Sequence, residues 1–426
     1  METNKNFILC FLCFFAVAIF LQSCKKAGEP ELQTSYDITM DAVWCEPYSS
    51  YSANIVFWDD YVISSNSGQY QLKLQSFHKK TGKPHPAWSD GIEISTYHSV
   101  FYGIFGNILI ALEPLWRENP YMYAIDLNTG TQLWDMQFQK SRISYPVSKC
   151  GNSLVLNYRD EQTPTLCEMS ILDLHTKEKR KILELTSEIN TSIDVSPVNW
   201  KITPNNDTLL FFVTTGWKSN QPSAHCYNLT KKQMHWEQSN ILPFTIFPEQ
   251  VLITESNHVL FCGIIASHCF DIENGSLIWK REYDETSFDR AWFYHQEKFF
   301  VMSNQGKYYC YDIKTGNLLW QNLDTLKSLD NANAYKDKVY FNCSVARSST
   351  LACFDISKGT LLWEDEGRIN PLMSGLYGDV LIDQQTGYLY TYVLDHFHDN
   401  DYNRSLVCID LNNTPRKNPS APLIKK

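Results

Sequence analysis

Apolar residues in this chain come in short alternating runs, and the runs themselves recur. Lys298-Phe299-Phe300-Val301-Met302-Ser303 and Lys307-Tyr308-Tyr309-Cys310-Tyr311 are too short for helices and rich in aromatic residues, so each reads as a strand. A shorter run precedes them at Ala291-Trp292-Phe293-Tyr294, and Asn317-Leu318-Leu319-Trp320 follows after a turn. Each unit therefore reads as four strands.

The turn before the last strand carries the signature of the repeat. In Tyr123-Ala124-Ile125-Asp126-Leu127-Asn128-Thr129-Gly130-Thr131-Gln132-Leu133-Trp134 a small residue precedes Asp126 by two, and Gly130 and Trp134 follow at intervals of four. The same frame holds at Cys269 to Trp279, Cys310 to Trp320 and Cys353 to Trp363. An Asp entering a turn accepts bonds from the amides ahead of it, and Gly takes the positive-φ position that the turn demands. An indole on the following strand fills the wedge between neighbouring sheets.

Degenerate copies keep the frame while losing letters. Phe77 to Trp88 carries two extra residues after Gly82, Ile171 to Lys181 has Lys in place of Trp, and Cys226 to Trp236 has Lys232 in place of Gly. An eighth copy, Cys408-Ile409-Asp410, stops short of a tryptophan strand. The missing strand is expected at the other end, where Ile38-Thr39-Met40-Asp41-Ala42-Val43-Trp44 places Trp44 forty-four residues before Trp88. Eight four-stranded units at intervals of roughly forty to fifty-five residues predict an all-β chain folded as an eight-bladed β-propeller, closed by pairing of its N- and C-terminal strands.

The small residue, Asp, Thr-Gly and Trp in this order resemble the PQQ-like β-propeller repeat family over about residues 36 to 415. WD-repeat propellers share the period, but Gly-His is absent, and Trp-Asp occurs only at Trp58-Asp59 and Trp134-Asp135, which do not share a register. Some members of the PQQ-like family are quinoprotein dehydrogenases that hold pyrroloquinoline quinone with calcium, a stacked tryptophan and often an adjacent cysteine pair. This chain has no Cys-Cys, no Cys-x-x-Cys-His and no triplet matching the calcium ligands, so no cofactor is expected. The repeat is a scaffold signature and does not by itself carry the cofactor.

The amino terminus bears on location. Residues 7 to 21 form an uninterrupted apolar run behind Lys5, fifteen residues long, against the roughly twenty that a membrane span needs. Leu21-Gln22-Ser23-Cys24 resembles a bacterial lipobox. The resemblance implies a signal peptide over 1–23, acylation of Cys24, a polar linker over 24–35, the propeller over 36–415 and a polar tail over 416–426. Lys25 beside the lipid cysteine gives no acidic retention signal, which favours the bacterial outer membrane. The architecture is similar to that of the lipoprotein propellers of outer-membrane protein assembly, which implies a scaffold for envelope proteins.

Composition narrows the partners. The formal charge is −10, and removing residues 1–23 leaves it unchanged because Glu2 and Lys5 cancel. No basic stripe offsets that acidity, so nucleic acid is not expected as a partner. One propeller occupies the mature chain, and a monomeric ring is expected.

Thirteen cysteines suggest a disulfide framework until they are placed in the repeat. Cys226, Cys269, Cys310, Cys353 and Cys408 all sit two residues before the turn Asp or Asn228, where Ala124 sits in the second unit, and so read as small core residues. Cys45, Cys150, Cys167, Cys262 and Cys343 remain open to a disulfide in an exported chain.

Catalytic signatures are missing: there is no Gly-x-Ser-x-Gly elbow, phosphate loop, His-Glu-x-x-His or dinucleotide fingerprint. The polar cluster Asp395-His396-Phe397-His398-Asp399-Asn400-Asp401 places His396 and His398 on one side of a strand, a weak metal candidate beside the reading as a solvated loop. The chain spends its insertions on the second-to-third strand connections at 113–120, 215–220 and 394–402, which share the face opposite the Asp turns. Trp116, Arg117, Trp217 and Phe397 are the candidate partner contacts, since aromatic and Arg side chains are enriched at binding hot spots; the alternative is that each packs on its own blade.

Overall fold

Alternating runs of this kind satisfy their backbone only by pairing, and in the computed structural model they pair as four-stranded antiparallel meanders. The structure describes residues 38–39, 42–48, 53–67, 72–94, 100–113, 119–138, 141–160, 163–219, 221–239, 251–263, 266–283, 292–302, 307–322, 329–345, 348–365, 380–395, 403–413 and 416–417. Among them every element is a strand except the short 3-10 turn Pro86–Trp88. Eight sheets of four strands form the blades of a propeller, as the repeat predicts. Blades 1 to 7 take their strands in chain order, from Ala53–Trp58 in blade 1 to Leu361–Asp365 in blade 7.

Blade 8 is composite. Leu381–Asp383, Tyr388–Asp395 and Asn403–Asp410 supply three strands, and Ala42–Tyr48 from the other end of the chain supplies the outermost, with Trp44 opposite Cys408. The carbonyl of Lys79 in blade 1 then accepts from the Trp44 indole (2.9 Å), the Tyr390 hydroxyl (3.2 Å) and the Cys408 thiol (3.7 Å). Lys79 Nζ lies 3.3 Å from Asp383 Oδ2 of blade 8. Arg416 and Lys417, at the start of the segment read as a tail, pair with Thr39 and Ile38 in a separate two-stranded ladder.

The Asp turn and the tryptophan prove to be two halves of one joint between blades. Six indoles donate to the carbonyl one residue past the turn Asp, or past its His78 equivalent, of the next blade. Trp88 reaches Leu127, Trp134 reaches Leu174, Trp236 reaches Ile272, Trp279 reaches Ile313 and Trp320 reaches Ile356, all within 2.7–3.1 Å, beside the Trp44–Lys79 bond of the closure. The turn Gly of that next blade lies flat beneath the ring: a Cβ on Gly275 would stand 2.6 Å from Trp236, and one on Gly316 would stand 2.6 Å from Trp279. Glycine is required there twice over, for the positive φ of 70° and 67° and for the indole's approach.

The Asp carboxylates hold the turns from within. Asp271 Oδ1 accepts from the amides of Glu273 (2.8 Å) and Asn274 (3.1 Å), and Asp355 Oδ1 from those of Ser357 (2.8 Å) and Lys358 (3.0 Å). Where the repeat loses its Asp, another acceptor substitutes. Asn228 Oδ1 takes the Lys231 amide and His78 Nδ1 takes that of Lys80.

A β-bulge makes the indole point inward. In blade 5 Cys269 lies opposite Trp279 and Phe270 opposite Leu277, so Ile278 is the extra residue and turns to solvent. Blade 3 differs from the expected frame. Without its tryptophan the bulge moves downstream to Ile182, and Arg180 rather than Lys181 stands opposite Ile171. The junction of blades 3 and 4 thus lacks the indole latch, and the Tyr227 hydroxyl bonds the Ile182 carbonyl (2.9 Å) instead.

Between blades the core is continuous. Phe211, Cys226 and Trp236 of blade 4 pack on Val259, Phe261 and Phe270 of blade 5 in one buried cluster, and the other junctions repeat that pattern. All five repeat cysteines are fully buried, as expected of small core residues.

Candidate functional site

An antiparallel meander sends alternate hairpins to opposite ends of the sheet, so the second-to-third connections emerge on the face away from the Asp turns. Trp217 follows the second strand of blade 4, Thr208–Thr215, on that face. Trp116, Arg117, His396, Phe397, His398 and the acylation candidate Cys24 lie outside the described residues.

Trp217 is held by a turn that only glycine allows. Gly216 has φ +75°, and a Cβ there would collide with the Ser192 carbonyl. The Gly216 carbonyl accepts from Ser187 Oγ (2.8 Å) and Thr191 Oγ1 (3.2 Å), and the Trp217 carbonyl accepts from the Glu188 amide (2.8 Å). These bonds tie the blade 4 loop to the connector from blade 3, at the junction that lacks an indole latch on the opposite face.

The Trp217 ring is half-buried against the cluster between blades 3 and 4, its centroid 5.2 Å from that of His225. Lys218 Nζ sits 4.3 Å above the indole and bridges both Glu237 oxygens at 2.8 and 3.0 Å. Burial pushes the Glu237 carboxyl up, but the bonds from Lys218 and Ser239 outweigh it and hold the group below the usual range.

Beneath lies a buried polar pair that no linear motif announced. His225 is wholly buried, stacked on Phe212 at 4.9 Å, with Nε2 2.8 Å from Thr214 Oγ1 and no partner at Nδ1. Burial pushes its imidazole down to about 4, with Glu237 acting against that shift and Lys218 adding to it. A neutral imidazole beside a hydroxyl resembles a nucleophile and its base, yet Phe212 and Trp217 seal the pair and Thr214 is as buried as the ring. It is a closed structural contact. Only the strand pairing Phe212↔His225 brings these residues together.

The buried thiols among the described residues are unreactive as well. Burial raises Cys150 to about 11 and Cys269, Cys310, Cys353 and Cys408 to about 12, which keeps them protonated and poor as nucleophiles or metal ligands. Cys150 and Cys262 are buried and unbridged, and the Cys343 side chain is not among those described. Among the described residues no three His, Cys, Asp or Glu side chains converge on a metal position.

The blades and their joints can be compared with known proteins. Residues 263–413 match the PQQ-like family described as outer membrane protein assembly factor BamB. The resemblance read from the repeats is borne out over blades 5 to 8, where the frame has kept most of its letters. No curated protein matches the chain by sequence.

Among solved structures, BamB from Moraxella catarrhalis is 12% identical with TM-score 0.56, covering 87% of this chain and 99% of that one. A europium-containing methanol dehydrogenase is 9% identical with TM-score 0.60, covering 87% and 93%. The computationally designed Ika8 protein is 13% identical with TM-score 0.58, covering 87% and 99%. At such identities these likenesses establish the fold alone. For the metal-held quinone that the family resemblance brings to mind, no ligand set converges among the described residues, and six of the twelve tryptophans are held in blade junctions.

Proposed function

We propose that this protein is a non-catalytic, lipid-anchored propeller that serves as a protein-interaction scaffold in the bacterial envelope, at the outer membrane and in outer-membrane protein assembly. The match of residues 263–413 to the BamB family carries the reading. The lipobox-like Leu21-Gln22-Ser23-Cys24 supports it, because a ring tethered through Cys24 is held where such assembly takes place.

The partner is another envelope protein, and the face that takes it is the one bearing the insertions. Trp116, Arg117, Trp217 and Phe397 are its contacts. Trp217 is pinned by Gly216 and backed by His225, so it presents a rigid ring with little conformational entropy left to lose. Affinity capture of the acylated protein from its own membrane tests this. Replacing Trp116, Trp217 and Phe397 together with Ala is expected to deplete an outer-membrane assembly partner while the ring stays folded, and undiminished capture would count against this face. Cys24→Ala is expected to abolish palmitate labelling and membrane fractionation.

A second reading rests on the similarity to methanol dehydrogenase: an envelope enzyme using the central funnel with pyrroloquinoline quinone. Incubation with the quinone and calcium, followed by absorbance of the washed protein, separates the two. A retained chromophore would favour the enzyme.

A further inference from the structure

The bulge that aims each indole inward leaves one residue facing solvent, and packing asks nothing of that residue. In blades 2, 5, 6, 7 and 8 it is nevertheless apolar: Leu133, Ile278, Leu319, Leu362 and Val43 are 48%, 38%, 48%, 44% and 42% exposed. Leu277 and Leu318, next to two of them, are 50% and 42% exposed. Because the bulges occupy equivalent registers, the side chains of blades 5 to 8 form a band at one height along four consecutive outer strands. Blade 4 breaks it with His235, which is exposed, so a polar residue is compatible with the position. A row of exposed apolar side chains along an outer rim suits contact with a partner surface.

The course of the chain points to the occupant. Ala42–Tyr48 is the outermost strand of blade 8, and Ile38–Thr39 lies against the outer strand of blade 7. The chain thus reaches the ring at one end of the apolar arc. Thirteen residues lie between Cys24 and Ile38, and fully extended the segment spans at most about 50 Å.

Exposed apolar side chains beside the point of tethering suit the interface of a bilayer. Neighbouring blades of an eight-bladed ring are rotated by about 45°, so a flat surface can meet two outer strands at once.

We infer that the outer rim of blades 7 and 8 beds on the lipid surface to which the chain is tethered. This rests on the lipid-anchored reading and goes beyond it, since a tether alone leaves the ring free to tumble. The rim holds the ring edge-on, with its two faces open sideways to protein partners.

Photocrosslinking in the acylated protein tests this, reconstituted in vesicles of phosphatidylethanolamine with a minority of phosphatidylglycerol. Val43→p-benzoylphenylalanine and Leu362→p-benzoylphenylalanine are expected to yield phospholipid adducts about tenfold more often than the same substitution at His235. All three positions are exposed, so folding is not at stake. Equal adduct yields at the three positions, with palmitate still on Cys24, would overturn the rim inference and leave the tether standing. Protein adducts at 43 and 362 would overturn it in favour of a protein partner or a second copy. Rim-selective lipid adducts in a Cys24→Ala protein added to the same vesicles would support the rim even if the tether reading fell.

Discussion

Replacing Gly275 with Ala puts two separable demands on the joint between blades 4 and 5. The backbone holds φ +70° there, which costs an L-residue roughly 1–2 kcal/mol. The new Cβ would also stand 2.6–3.0 Å from three atoms of the Trp236 ring, and overpacking of that kind costs about 1–3 kcal/mol. Gly106 isolates the first demand, having φ +60° and nothing within 4 Å of an added Cβ. Gly275→Ala is therefore expected to lose about 1–3 kcal/mol more than Gly106→Ala in urea unfolding.

The excess should vanish when the ring is absent. In a Trp236→Ala background, itself costing about 3–5 kcal/mol, Gly275→Ala should cost no more than Gly106→Ala. The assay is the unfolding midpoint with constant slope, followed by tryptophan fluorescence and by circular dichroism. Equal losses for the two glycines in the native background, or an excess that survives the loss of Trp236, would refute the two-part joint.

Three further outcomes follow from the same geometry. His225 has its folded titration depressed to about 4 by burial, so the stability it contributes is whole above its ordinary value of 6.5 and is lost as pH falls from there toward 4. At about 1.4 kcal/mol per pH unit the loss approaches roughly 3 kcal/mol, and His225→Phe should flatten midpoints measured between pH 7 and 4; parallel profiles would remove His225 from the explanation. Trp44→Ala should cost about 3–5 kcal/mol and raise amide exchange first in Tyr388–Asp395 and Asn403–Asp410, its sheet partners, whereas uniform exchange would deny the closure its local role. Cys226, Cys269, Cys310, Cys353 and Cys408 should resist a maleimide at pH 8 and react fully in denaturant, and native labelling of any would show that slot open to solvent.

Legibility along the chain followed locality. The Asp-to-Trp frame could be read because turn chemistry acts within a few residues, and the five cysteines fell into place once that frame was set. Arg180 could not be read: counting from Ile171 points to Lys181, and only the ladder shows that the bulge has moved to Ile182. Trp217 was visible as an inserted aromatic, while His225 beneath it sat inside an ordinary strand run and became notable only through its cross-strand neighbours.

Strand alternation, turn residues and the eightfold period are properties of neighbouring residues, and from them alone follow the propeller, its composite last blade and the part Trp44 plays in closing it. Packing between sheets assigned each residue of the frame its task. The indole of one blade is paired with the glycine of the next because their contact spans about forty residues of chain and exists only once two sheets have packed. The same packing sends the bulge residue outward, and so left an apolar rim where the linear pattern showed only strands.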